Sequence, residues 1–189
     1  MKPDNSRELI PHDTVLHLIG VLDTMKTKLL DAAQQWQLLD ENGRVPASPS
    51  YTDLLQHAVD AQALSHNVVQ LTADFARTPH STNRVGRAVL ARLAMASTMS
   101  SHAVPCFAET AETALALSRA ATPIIKQYPA NSMVIEHATA RAYLRRASES
   151  LRDASKELDG HLDFHSFFPA RQLPPARSGP ASHGSARGR

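Results

Sequence analysis

The sequence predicts an all-α fold: an antiparallel four-helix bundle with long helices, the third kinked or split near Pro105, and a disordered C-terminal tail. Three observations carry this. Eight apolar residues at heptad spacing run unbroken from Val15 to Leu39. The sixteen residues Leu93 to Ala108 hold no formal charge, as expected of helix enclosed by other helices. The apolar share is supplied mainly by Ala, Leu and Val, with aromatics at 5% of 189 residues, so the core must come from close helix contacts between strong helix formers.

Taken in order, the first ten residues are polar and flexible, with Ser6 able to cap a short turn. From Val15 the positions Leu18, Leu22, Met25, Leu29, Ala32, Trp36 and Leu39 alternate spacings of three and four, which predicts a first helix over Pro11 to Asp40. Gly43 is placed to end it in a left-handed cap, and Trp36, the only Trp, closes one end of the core. Arg44 to Pro49 is a loop, and Ser48-Pro49 reads as a cap followed by Pro at the first position of the second helix. Its seam is Leu54, Ala58, Ala61, Leu64, Val68, Leu71 and Phe75, and Thr78-Pro79 stops it. Asp53, Asp60, Asn67 and Asp74 recur every seven residues beside that seam, an acidic flank that wants a basic neighbour.

Ser81-Thr82-Asn83 caps a third helix that, unbroken to Tyr128, would be about 67 Å long against about 42 Å for the first. Pro105 resolves the mismatch, since it lacks a donor and clashes with the Ser101 carbonyl. Pro123 adds a second bend and Tyr128-Pro129 ends the segment. Asn131 or Ser132 caps the fourth helix, with seam Met133, His137, Ala140, Leu144, Ala147, Leu151, Ala154 and Leu158 and Gly160 as its C-cap. Arg141, Arg145, Arg152 and Lys156 line a flank that is expected to face the acidic flank of the second helix. The chain thus divides into a flexible 1–10, a helical bundle domain over 11–162 and a Pro/Gly/Ser/Arg-rich flexible tail over 163–189.

Composition limits the function classes. Residues 1–83 carry 6 Lys/Arg against 10 Asp/Glu, and residues 84–189 carry 14 against 8, a division that favours contact between early and late helices over a basic stripe for nucleic acid. A single cysteine, Cys106, excludes an internal disulfide or Cys-cluster metal site and fits a reducing, cytoplasmic compartment. The N-terminus has no apolar core of a secretion signal, and no stretch approaches the roughly 20 apolar residues of a membrane span. Fifteen Arg against five Lys, with abundant Ala, point to a GC-rich bacterial genome.

No constellation amounts to a catalytic, cofactor or metal site. His102, Cys106 and Glu109 share a helix face in the order that activates a thiolate, but an uncharged packed helix raises a thiol pKa, which favours an inert buried cysteine. Asp53, His57 and Asp60 share a face, as do His161 and His165, yet no Glu-x-x-His pair occurs and His12-Asp13 stands alone. His137 in VIEHATARAY lacks the Lys-Gly that follows the acceptor in histidine phosphotransfer bundles, so it reads as a seam residue. The tail offers more: Arg171 to Arg177, RQLPPAR, resembles a polyproline II ligand of SH3-type grooves.

The reading is therefore a non-enzymatic adaptor or regulator that binds another protein, itself as a homodimer included. Phe164, Phe167, Phe168, Arg171, Pro174 and Pro175 are the candidate protein-binding residues. The alternative is a nucleic-acid-associated accessory protein using Arg141, Arg145, Arg146, Arg152 and the tail arginines.

Overall fold

The computed structural model describes the backbone of residues 10–119 and 123–167, and the side chains of residues 10–119 and 127–163. Among these residues the protein is all helical, without strands: α1 His12–Gln35, α2 Tyr51–Arg77, α3 Arg84–Arg119 and α4 Pro123–Phe167, with one 3-10 turn, Pro79–Thr82, joining α2 to α3. Among the described residues no helix is long and apolar enough to cross a membrane.

In α1 the heptad positions Val15, Leu22 and Leu29 are wholly buried, while Leu18 and Met25 pack beside them. The helix stops at Gln35, five residues short of the expected end, where the Ala33 carbonyl finds a partner outside the helix. Trp36 turns extended with its N–H still on the Ala32 carbonyl, and the Arg141 Nε donates to the Ala33 carbonyl at 2.6 Å. Leu38 then takes the buried place that the heptad assigned to Leu39, which is left exposed. Gly43, at φ 72°, serves a tight turn rather than the helix cap. There Asp40 Oδ1 accepts from the N–H groups of Asn42 and Arg44.

The cap of α2 is Ser50 rather than Ser48: its hydroxyl accepts from the Asp53 N–H at 3.3 Å. The far end matches expectation, with Thr78 closing α2 and the Asn83 side chain accepting from the Gly86 N–H at 2.7 Å to begin α3. Between α2 and α3 runs a ladder of hydroxyls. Thr72 meets Ser97 at 2.8 Å and Ser65 meets Ser101 at 3.0 Å. Across α1 and α4, Ser148 donates to the Lys26 carbonyl at 3.0 Å, one layer along from the Arg141 contact.

The uncharged stretch is not enclosed on all sides. Leu93, Ala96, Ser100, Ala103 and Phe107 are buried, whereas Ala94, Met95, Thr98 and His102 on the opposite face are exposed. Of the kink or split expected at Pro105, the split is absent, since α3 continues through it to Arg119. Pro105 and Ser101 both lie on the exposed face, where water can satisfy the carbonyl that Pro leaves without a donor.

The largest correction concerns the third boundary. Pro123 stands at the first position of α4, where its missing N–H costs nothing, so Tyr128-Pro129, Asn131 and Ser132 lie inside the helix. Packing overrides the Pro129 signal: Ala130, Met133 and Val134 join Leu38, Leu54, Ala111, Ala114 and Leu117 in a second apolar cluster. Gly160 is likewise interior, between buried Leu158 and His161, and the helix passes the expected domain limit at 162. Ile10, assigned to the flexible start, is fully buried. The main core is a strict alternation in α4, with Leu144, Leu151 and Leu158 and the alanines 140, 147 and 154 all at 0% exposure; each such leucine contributes roughly 1.5–3 kcal/mol by its burial.

Helix α3 packs on both α2 and α4, and α1 packs on α4, whereas α1 and α2 scarcely touch. The basic flank of α4 therefore does not meet the acidic flank of α2. Asp60 and Asp74 accept instead from Gln56 and Gln70 of their own helix, and Lys156 and Arg152 pair with Asp153. The proposed tail residues Phe168, Arg171, Pro174 and Pro175, and the side chains of Phe164, His165 and Phe167, lie outside the described residues.

Candidate functional site

At the level where α1 ends and α2 begins, each helix contributes one ring to a single layer. Trp36 leaves the end of α1 because Arg141 caps the turn before it. The indole stacks on His57 of α2 with centroids 5.0 Å apart and planes 10° from parallel. Phe107 of α3 meets Trp36 edge-on at 5.1 Å, and His137 of α4 meets Phe107 edge-on at 5.4 Å. The two imidazoles face each other at 5.9 Å. His57 is half-buried and His137 is 2% exposed.

Two imidazole nitrogens in this layer, His57 Nδ1 and His137 Nε2, are buried without a hydrogen-bond partner. Burial disfavours the charged ring. It pushes the His137 pKa down to about 4, with His57 and Arg141 adding to the effect. Burial also lowers that of His57, against the pull of Asp60 and Asp53. Burial thus favours the neutral form of both rings. Among the described residues no group of three or more His, Cys, Asp or Glu is arranged to hold a metal ion.

The stacked pair separates two openings. Because α1 and α2 scarcely touch, a groove of about 420 Å³ lies between them, with Lys28, Asp31 and Trp36 on one wall and Asp60, Leu64 and Asn67 on the other. A second cleft of about 260 Å³ lies under the loop after α1, lined by Gln37, Pro46, Ser50, Asp53 and His57. The acidic flank read from the sequence thus borders open surface. Sequence reasoning treated Trp36, His57 and His137 one by one and missed their meeting. The available signal was an imidazole at a seam position, 137, where only apolar residues are expected.

The other candidates are dispersed. His102 is exposed and packs edge-on against Tyr143 of α4 at 5.3 Å. Among the described residues no hydrogen bond joins it to Cys106. The thiol of Cys106 is pushed up by burial and further by Glu109 and Glu136, which opposes thiolate formation. His12 and Asp13 form an exposed pair at 3.5 Å. Of the four nucleic-acid candidates, Arg141 is engaged in capping α1, while Arg145, Arg146 and Arg152 are exposed on α4. No known protein family, curated protein or solved structure matches the chain.

Proposed function

We propose that the protein is a non-enzymatic antiparallel four-helix bundle, bent at Pro105, that acts as an adaptor or regulator by receiving a basic segment of another protein in the groove between α1 and α2. Direction reversal is supported by the hydroxyl ladder, in which partners rise from Ser97 to Ser101 as α2 falls from Thr72 to Ser65. The bend is supported by the hydrogen bond that Pro105 removes.

The observation that carries the functional reading is the uncovered acidic flank. Asp31 and Asp60 face the groove with one cation, Lys28, between apolar walls at Trp36 and Leu64. An amphipathic helix bearing Arg or Lys matches both features, and apolar anchors with a charged rim are how helices seat in grooves. A second copy is a less suitable occupant through α2 itself, because two acidic flanks repel. The test is a photo-crosslinker at Ala63, in the groove, and at Ala138, on the exposed face of α4, introduced in the native host. A distinct partner captured from Ala63 alone supports the reading, and equal capture from both positions overturns it.

A second reading, association with nucleic acid, rests on exposed Arg145, Arg146 and Arg152. Retardation of duplex DNA or RNA at low salt, lost steeply as salt rises, would favour it. No retardation at low salt removes it.

A further inference from the structure

We propose that the layer Trp36–His57–Phe107–His137 is an acid-sensitive latch: protons taken up by the facing imidazoles break the layer, lift Trp36 off His57 and open the loop end of the bundle. The inference rests on the layer alone and stands whether or not the groove receives a partner.

The geometry supplies the mechanism. The layer joins all four helices, and its Trp36–His57 stack bridges α1 and α2, which hardly touch elsewhere. A proton on His137 Nε2 or His57 Nδ1 finds no acceptor in the closed layer, and an unpartnered buried charge is far costlier than a neutral ring. The charges around the pair decide the order of events. On α2, Asp53 and Asp60 draw a proton toward His57. On α4, Arg141 repels one from His137. Glu136 of α4 and Glu109 of α3 lie on the Cys106 side. From the end of α1 the layer receives the uncharged Trp36, with Lys28 and Asp31 further along the groove. His57 therefore takes the first proton, and its charge then faces His137 at 5.9 Å. Opening relieves both, because solvated imidazolium is stable.

The single tryptophan reports this directly, since its indole stacks on one of the titrating rings. Emission of Trp36 is recorded from pH 7.5 to pH 4 beside an NMR titration of the imidazole protons. Expected is a change in Trp36 emission that tracks the titration of His57 and His137, both below pH 6.5, with helical content retained. With His137 moved from 6.5 to about 4, its full protonation shifts the opening equilibrium about 300-fold. Titration of His137 near 6.5, or an emission flat to pH 4, overturns the proposal. The variant His137→Leu is expected to keep the part of the emission change that follows His57 and to lose the later part that follows His137, and a response identical to the wild type is equally fatal. If that variant does not fold, the wild-type titration decides alone.

Discussion

Replacing Gly86 by Ala sets two physical effects against each other with opposite signs. Helix propensity alone favours Ala by about 1 kcal/mol. The structure says otherwise, because a Cβ on Gly86 would lie 1.8 Å from the carbonyl oxygen of His80 and 3.0 Å from the Cα of Ser81. Both are backbone atoms and cannot rotate aside. The 3-10 turn would have to move by more than an ångström, loosening the Asn83 cap on the Gly86 N–H and the bonds that Ser81 Oγ makes to Ala76 and Thr78. Overpacking costs about 1–3 kcal/mol and a weakened hydrogen bond about 1, so the net loss is roughly 1–3 kcal/mol after propensity is subtracted. Gly20 and Gly160 are the controls: both are helical, exposed and open, with nothing within 4 Å of a built Cβ. There Ala should stabilise by about 0.5–1 kcal/mol. Urea unfolding followed by helical circular dichroism separates the three, as does thermal unfolding, at about 2–4 °C per kcal/mol for a domain of this size. If Gly86→Ala proves as stable as Gly20→Ala, the close approach of turn and helix is wrong.

Further outcomes follow from the same contacts. Arg141→Met should destabilise by about 1.5–3 kcal/mol, the worth of a hydrogen bond to a charged group, and should fray the end of α1, read as faster amide exchange at Trp36, whose N–H is held by the Ala32 carbonyl; unchanged exchange would contradict the capping role. Stability should be greatest above pH 6.5 and fall as the pH drops toward 4, because the unfolded state takes up the proton that folded His137 refuses. From 6.5 to about 4 that linkage amounts to at most about 3 kcal/mol, less what the opened layer recovers by taking up the proton, measurable as a shrinking urea midpoint, and a midpoint constant over this window rejects it. Iodoacetamide should modify Cys106 more slowly at pH 7.5 than it does an unstructured cysteine peptide, since burial and two carboxylates raise its pKa; a faster reaction would place an activated thiolate there.

What the sequence made legible was local. The stop at Thr78-Pro79 and the cap at Asn83 are short-range chemistry, and the buried stripes Val15–Leu22–Leu29 and Leu144–Leu151–Leu158 follow from spacing alone. The end of α1 was not legible, because it depends on a guanidinium more than a hundred residues away. Nor was the continuation of α4 through Pro129: that proline reads as a stop until Met133 is seen packed against Leu38 and Leu54. The ring layer failed for the same reason. His57 and His137 each have a bland reading in isolation, and only the order in which the helices neighbour one another brings them face to face.

The alternation of Leu and Ala down α4, matched by Ala96 and Ala103 on α3, sets how this molecule can be damaged. An alanine has almost nothing to lose by truncation, but it stands where two main chains come close, so an added methylene has nowhere to go. Mutational harm along this interface should come from gain of bulk, with Ala→Val or Ala→Leu prying the rods apart like grit in a zip fastener.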